Sequence, residues 1–373
     1  MRRSLLLVLA GCVGVALVHV LLRSMVNSGH PWGPVSAWPK SIENAVQLHA
    51  TWEPFAKRPL MNNLLRGLAA ITSWSAWTRF VIAQLAALAW AAIEMLLTAR
   101  RVATWRGDEP RDVWRVLLMF FVFPPVLFAW FTPVYTFDDL LVAALLLRAV
   151  RAVVDERWIA AAILLAVAAV SHEVALFVIP SVAWLAWDVS AARPDRKLRV
   201  AALVLLPAIC WLVVRELTQA DQMEGWYKNY QVNFGTPTDA ISSVGAVILA
   251  LGLPAVLLAS RRPARPPHLA RYYLAAIALT LPLLALATFL RELRLLALPG
   301  YLALPFLGPV IRWQTLRLYD RWQVLAALAC GAAAALGYHP VITSSPLAFR
   351  LALGIVVGLA ASVGLARVRR APG

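Results

Sequence analysis

Four groups of ionisable residues lie beside or inside apolar runs of this sequence, where charged side chains are costly. The most unusual is the stretch AAVSHEVALFVIP, residues 168–180, in which His172 and Glu173 stand side by side between apolar segments. Carboxylates in such places can act as general bases, and guanidinium groups can bind phosphate or carboxylate. The other three groups are Asp138 with Asp139, then Glu43, Glu53, Lys57 and Arg58, and finally Arg291, Glu292 and Arg294.

The composition indicates which kind of fold positions these residues. The chain has 373 residues, of which 61% are hydrophobic and 14% charged, and its mean hydropathy is +0.71. A soluble domain usually has about 25% charged residues. Apolar runs long enough to cross a bilayer recur along most of the chain. We therefore predict an all-α, polytopic transmembrane helix bundle that forms a single membrane-embedded domain over residues 1–373.

The apolar runs predict about ten full spans plus a short hairpin of two half-spans. Two apolar segments, 158–170 and 174–187, flank His172 and are too short for full spans. Outer loops are predicted at 27–75 and 216–239, and the other connections are short. The full spans are predicted near residues 4–26, 76–98, 113–131, 138–154, 198–215, 240–260, 272–290, 295–311, 322–338 and 349–366.

The formal net charge of +16 is explained by topology and not by nucleic-acid binding. Most of the 35 Lys and Arg residues lie in short segments between alternate apolar runs. Cytoplasmic loops of membrane proteins carry such an excess. The pattern predicts that both termini are cytoplasmic.

The same charge pattern determines the shape of residues 158–187. A continuous helix over this segment would be about 45 Å long. It would also move the basic cluster at 193–199 to the outer side and invert every later loop. A hairpin, either re-entrant or made of two short crossings, avoids both problems. It places His172 and Glu173 at the tip, level with Asp138 and Glu292, so we predict one outward-facing polar cavity.

Structural interpretations of these residues remain open. The two aspartates of VYTFDDLL can cap a helix N-terminus, and Ser171 can cap the second half of the hairpin. Glu94, late in the span 76–98, is expected to reach toward Arg100 and Arg101.

Four short motifs, taken in order, resemble a pattern found in bacterial multi-span proteins related to the GT-C superfamily of membrane glycosyltransferases. EPFAKRPLMNNLL resembles PFxxRPLxP, and VYTFDDLLVAALLL resembles YxYDLPAL. SHEVALFVIP resembles NRETALxLxP, and ELRLLALP resembles ExRLxxxLxP. The motifs extend from about residue 53 to 305, so the resemblance covers most of the chain.

The resemblance carries over to individual positions, with departures. His172 stands where the pattern has arginine, Val174 where it has threonine, Leu140 where it has proline, and Asn62 where it has the later proline. Loss of an arginine at position 172 would alter phosphate or carboxylate pairing at the tip. The matching positions are Phe55, Arg58, Pro59, Asp138, Glu173, Glu292 and Arg294.

The resemblance implies a glycosyltransferase-like protein of the bacterial cytoplasmic membrane. It would act at the outer face on a polyprenyl-phosphate-linked sugar in cell-envelope glycan synthesis. Glu53 or Asp138 would be the base, Arg58 and Arg294 would hold phosphate, and His172 and Glu173 would shape or polarise the cavity. The catalytic candidates are Glu53, Asp138 and Glu173, and the substrate-binding candidates are Arg58, His172, Glu292 and Arg294.

No cofactor is predicted, and although several carboxylates could bind a divalent metal, no ligand spacing demands one. The expected partners are the lipid bilayer, the polyprenyl-linked sugar donor and other envelope-biosynthesis membrane proteins, without nucleic acid. Two other functions stay open: a lipid-intermediate flippase or transporter, and a non-catalytic membrane partner in envelope polysaccharide assembly.

Overall fold

A computed structural model describes residues 58–105, 138–218 and 293–307, together with parts of 6–14, 40–47, 116–126, 231–247 and 280–285. Regular structure within these residues is helical, with no strand, which confirms the all-α prediction for this part of the chain. A 3₁₀ helix, Glu173–Val178, lies between α4 and α5. The α-helices are α1 Pro59–Ile71, α2 Ala76–Trp105, α3 Asp139–Val154, α4 Trp158–Ser171, α5 Ile179–Val189, α6 Arg196–Leu217 and α7 Leu293–Leu307.

Two of the described helices, α2 and α6, are long and apolar enough to cross a membrane, judged by length and composition. They correspond to the predicted spans 76–98 and 198–215. The arrangement of ten spans stays a prediction, as does the single-domain organisation. The predicted spans 322–338 and 349–366 lie outside the described residues, as do most of the predicted outer loops.

Helix α3 is the centre of the described bundle. Its sequence DLLVAALLLRAVRAVV is apolar on every face, and its residues are buried except for Arg148 and Arg151. It packs against α2, α4, α5 and α7. The Thr98 hydroxyl of α2 donates to the Leu147 carbonyl of α3 at 3.0 Å. An ion pair also joins Arg101 to Asp155. Because later residues of α2 contact later residues of α3, the two helices run parallel.

Glu94 has partners on α3 and not on its own helix. Its carboxylate accepts a hydrogen bond from Arg148 Nη1 at 2.9 Å and another from Arg151 Nη2 at 2.7 Å. The indole Nε1 of Trp90 also donates to it, at 3.3 Å. The expectation that Glu94 reaches toward the arginines that follow it on α2 is therefore wrong, because the neighbouring helix offers closer guanidinium groups.

The turn between α3 and α4 is three residues long, so these helices are antiparallel neighbours. Glu156 in this turn has a φ of 56°, in the left-handed region. Such a conformation costs a non-glycine residue about 1 kcal/mol or more. Arg193 Nη2 lies 2.7 Å and Arg199 Nη1 lies 3.5 Å from Glu156 Oε2, and both contacts favour the turn.

The chain reverses direction between α4 and α5. α4 ends at Ser171, and His172 adopts an extended conformation, with φ −158° and ψ 119°. α5 then begins with Pro180 in its first turn, where the missing N–H costs no hydrogen bond. The segment after α5 lies beside the start of α4, since Arg193 contacts Glu156. This reversal agrees with the predicted hairpin and excludes one continuous helix over 158–187.

Helix α6 presents most of its surface to the outside of the described bundle. Only 11% of its most apolar window is buried, against 56% for α2. Exposed apolar side chains recur along its whole length, which fits contact with lipid better than contact with water. They include Leu198, Leu205, Ile209, Leu212, Val213 and Leu217.

Candidate functional site at the His172 end of the bundle

Three distant segments of the chain converge at one end of α3. Arg58 immediately precedes α1, Asp138 and Asp139 lie at the start of α3, and His172 with Glu173 forms the break between α4 and the 3₁₀ helix. Arg58 is 9%, Asp138 0%, Asp139 6% and His172 3% exposed. The Glu173 side chain is 27% exposed and provides the most open part of the group. These five residues are called the His172 end below.

Arg58 and Glu173 form a two-pronged ion pair. Arg58 Nε donates to Glu173 Oε2 at 2.9 Å, and Arg58 Nη2 donates to Glu173 Oε1. This fork geometry matches a planar guanidinium to a carboxylate. Arg58 is held in place by Pro59, which starts α1 and restricts the backbone of the residue before it. The pair therefore fixes the beginning of α1 against the tip of the hairpin.

The charge of Arg58 is maintained despite its burial. Burial alone would lower the pKa of the guanidinium, but the charge of Glu173 and the hydrogen bonds to it act in the opposite direction. Asp138 and Asp139 add weaker attractive effects, so the pKa of Arg58 lies above its ordinary value. Both aspartates are thus electrostatically linked to the Arg58–Glu173 pair.

His172, and not Ser171, caps the 3₁₀ helix. The Ser171 hydroxyl donates back to the Val167 carbonyl at 2.6 Å, one turn earlier in α4, so its predicted capping role is wrong. The backbone N–H of Val174 donates to His172 Nδ1 at 3.3 Å. A ring nitrogen that accepts a hydrogen bond carries no proton, so we assign the proton of the neutral ring to Nε2.

This tautomer directs the polar edge of the imidazole toward an aspartate. His172 Nε2 lies 3.8 Å from Asp139 Oδ1, and Nδ1 lies 3.7 Å from Glu173 Oε2. Both distances exceed those of direct hydrogen bonds. His172 therefore sits between two carboxylates without bridging them directly.

Asp138 is the N-cap residue of α3, but its side chain makes no cap hydrogen bond. The capping interpretation therefore does not account for this carboxylate. Asp139 is close enough to the buried Tyr301 of α7 to act on it electrostatically. Tyr301 thus brings a phenol from a fourth segment of the chain to the same group.

Sequence reasoning missed Tyr301 and gave no role to Asn62. Asn62 is 6% exposed, one turn after Arg58 on the buried face of α1. Among the described residues its Oδ1 is buried and has no hydrogen-bond partner. Two sequence features could have drawn attention to these residues. Tyr301 is a tyrosine within the apolar stretch LPGYLALP, and Asn62 is an amide where the motif has proline.

The structure brings together Arg58, Asp138, His172 and Glu173 from the predicted site. Arg294 is the second residue of α7, whose middle and end pack into the bundle. Glu53 and Glu292 lie outside the described residues. Their predicted roles stay predictions.

The charges at the His172 end favour interaction with hydroxyl groups and protons. Three carboxylates lie close to one guanidinium and one imidazole, so acidic groups outnumber basic ones. Both Nε and Nη2 of Arg58 already donate hydrogen bonds to Glu173. An anionic ligand would therefore have to displace a carboxylate, whereas a hydroxyl group could donate to one. No group of three or more His, Cys, Asp or Glu side chains in the described part of the chain is arranged to hold a metal ion.

Comparison with protein-family models, with curated proteins and with solved structures finds no match to this chain. The resemblance to the GT-C superfamily therefore rests on the four sequence motifs alone. Residues from the first three motifs, namely Arg58, Asp138 and Glu173, lie in one buried group, which is a geometric relation that the motifs themselves do not contain.

Proposed function

We propose that this chain is a membrane glycosyltransferase-like protein that transfers a sugar from a polyprenyl-phosphate donor at the outer face of the cytoplasmic membrane. The observation that carries the proposal is the convergence of Arg58, Asp138, Asp139, His172 and Glu173 from three segments into one buried group. Charged groups this deep in an apolar bundle usually face a substrate path or a partner.

In this proposal Asp138 is the general base. Its carboxylate removes the proton from an acceptor hydroxyl while that oxygen attacks the anomeric carbon of the donor sugar. The bond between the anomeric carbon and the phosphate oxygen breaks, and its electron pair leaves with the polyprenyl phosphate. The proton remains on the carboxyl group. Glu53 is the alternative base in the predicted first outer loop.

Arg58 has a positioning role in this reaction. Because both of its prongs hold Glu173, it orients that carboxylate toward the acceptor and leaves the donor phosphate to other cations. The excess of acidic groups supports this division, since phosphate would be repelled by Asp138, Asp139 and Glu173. Arg294 is the predicted cation for the phosphate.

The test is sugar transfer by the purified full-length protein in lipid nanodiscs supplied with a panel of polyprenyl-phosphate sugars. Asp138→Asn removes the base with little change of shape, and we expect a loss of about 100-fold or more in turnover. The matched control is Glu156→Gln at the opposite end of α3, which should retain transfer. Full activity of the Asp138→Asn, Glu53→Gln double variant would refute the proposal.

A transporter or lipid-intermediate flippase is the second candidate, because the break at His172 interrupts a helix within the bundle. Discontinuous helices with charged residues at the break often form substrate or ion sites in transporters. This function predicts flipping of a labelled lipid-linked sugar in proteoliposomes without a new glycosidic bond. If neither transfer nor flipping occurs, a non-catalytic role in polysaccharide assembly is favoured.

A further inference from the structure

The opposite end of α3 carries a second group of charged residues. This end, around the turn that contains Asp155 and Glu156, is called the Glu156 end below. Most basic side chains there have a carboxylate partner. Arg196, at the start of α6, is an exception, since it takes part in no ion pair among the described residues. The pairs at this end are Arg101–Asp155, Arg148–Glu94, Arg151–Glu94, Arg193–Glu156, Arg199–Glu156 and Arg199–Asp195.

The guanidinium group of Arg196 stacks on an aromatic ring. Its central carbon lies 3.5 Å from the centroid of the Trp187 ring. Stacking satisfies one face of the group but none of its N–H donors. Arg196 Nε is buried and has no hydrogen-bond partner among the described residues. The stacking thus fixes the orientation of the guanidinium, and its two Nη groups, which are not among the buried unpaired atoms, remain available for an acceptor.

The surface around this cation is apolar and exposed. Trp187 is 39%, Trp184 47% and Leu198 72% exposed. The apolar outer surface of α6 begins at Leu198 and continues away from Arg196 along the helix. Along α6, the cation Arg196 is therefore followed by a long apolar surface. A ligand that fits this surface has an anionic group at one end and a long apolar body.

The nearest carboxylates in sequence do not cancel the charge of Arg196. Arg199 Nε lies 2.7 Å from Asp195 Oδ2, and this ion pair with Arg199 holds the pKa of Asp195 below its ordinary value. Asp188 is the other acid in this region, next to Trp187. The neighbouring Lys197 is exposed and adds a second positive charge. The local balance therefore favours an anion.

We infer that Arg196 and Trp187 form a binding site for an anionic phospholipid. The guanidinium donors of Arg196 bind the lipid phosphate, the Trp187 ring holds the guanidinium flat, and the acyl chains lie along the exposed face of α6. Tryptophan at a membrane interface and arginine beside anionic headgroups are consistent with this arrangement. The site is separate from the His172 end, and it requires only that α6 crosses a membrane.

The test measures binding of short-chain phosphatidylglycerol to the full-length protein in detergent by native mass spectrometry. We expect Arg196→Gln to weaken binding about fivefold. Arg193→Gln is the matched control. It also removes one positive charge, three residues before Arg196, but the guanidinium of Arg193 is already paired with Glu156. The control should change binding by less than about twofold.

Further measurements separate a specific site from general electrostatic attraction. Trp187→Leu keeps every charge and should also weaken binding, because the guanidinium loses its support. Phosphatidylcholine should bind weakly to all variants, and inorganic phosphate at equal ionic strength should not displace phosphatidylglycerol. Melting temperatures without added lipid check that the variants are folded. Equal losses for Arg196→Gln and Arg193→Gln, or unchanged binding by both Arg196→Gln and Trp187→Leu, would overturn the inference.

Discussion

The two ends of α3, about 24 Å apart along the helix, both carry ion pairs, but the pairs differ in burial and in charge balance. At the His172 end the Arg58 and Glu173 side chains are 10% and 27% exposed, and two further carboxylates lie nearby. At the Glu156 end the Arg193 and Glu156 side chains are 53% and 37% exposed, and arginines outnumber acids. One end is buried and acidic, whereas the other is accessible and basic.

This difference indicates what each end contributes. Exposed ion pairs stabilise a protein by about 0–1 kcal/mol, so the exposed Arg193–Glu156 pair contributes little to stability. Its basic excess instead suits a cytoplasmic membrane surface. Buried charges are costly unless they are paired well, so the His172 end requires its fork geometry. Residues retained at such a cost are candidates for function.

The largest effect is expected from breaking the buried pair on one side. Arg58→Met keeps most of the side-chain volume but leaves Glu173 without its guanidinium, close to Asp138 and Asp139. We expect a loss of about 3–5 kcal/mol in the free energy of unfolding. Reversible unfolding of the purified protein in mixed micelles measures it.

The double variant Arg58→Met, Glu173→Met controls for this effect. Replacing both charges by apolar groups removes the unpaired carboxylate, so most of the lost stability should return. The Glu173→Met single variant completes the comparison. If the stability losses of Arg58→Met and Glu173→Met add up in the double variant, the two side chains do not interact as described. The difference between the two ends of α3 would then disappear.

An intermediate effect is expected from Glu94, which is buried like the His172 end but lies toward the Glu156 end. Glu94→Gln keeps the shape of the side chain and removes its charge. Its partners, Arg148 and Arg151, are 49% and 23% exposed and can turn toward water. We expect a loss of about 1.5–3 kcal/mol by the same unfolding measurement. If Glu94→Gln loses as much unfolding free energy as Arg58→Met, then the position of a buried ion pair along α3 does not determine how much its loss destabilises the protein.

The smallest effect is expected at the exposed pair. Glu156→Gln should cost less than about 1 kcal/mol, because water solvates Arg193 and Arg199 when the carboxylate is removed. Added salt should reduce the difference from the unsubstituted protein further. Unfolding measured at low and high salt checks both expectations. A loss that salt does not change would mean that Glu156 acts through its turn geometry and not through its charge.

The sequence predicted the features that depend on local hydrophobicity and on the sum of charges. The apolar runs predicted α6 to within two residues at each end and the start of α2, although α2 continues seven residues past its predicted end. The basic cluster near residue 196 predicted the reversal at His172. The partners of Glu94 could not be predicted, since they depend on α2 and α3 lying parallel in the bundle. Ser171 is a possible N-cap in the sequence because hydroxyl groups often cap helices, but in the structure its hydroxyl donates to the Val167 carbonyl within α4.

The contacts within the candidate site were also beyond the sequence. Three of the four short motifs identified Arg58, Asp138 and Glu173. They did not predict the paired hydrogen bonds between Arg58 and Glu173, which join residues 115 positions apart. Tyr301 gave no motif signal, because an isolated tyrosine in an apolar run is common in membrane helices. Packing of α7 against the 3₁₀ helix and α3 brings it to the site.

The central proposal, which follows from the charge pattern of the sequence, is that the two ends of α3 face opposite sides of a membrane, with the His172 end outside. Ser73 is an exposed position just before α2, which runs parallel to α3, and so lies toward the side of the His172 end. Ala192, between α5 and α6, is an exposed position next to Arg193, which contacts Glu156. Single cysteines at these positions, in a variant lacking the native cysteines, can be labelled in intact cells with a membrane-impermeant maleimide. We expect labelling of Ser73→Cys alone, with Ala192→Cys labelled only after the membrane is permeabilised. Labelling of both in intact cells, or of Ala192→Cys alone, would contradict it.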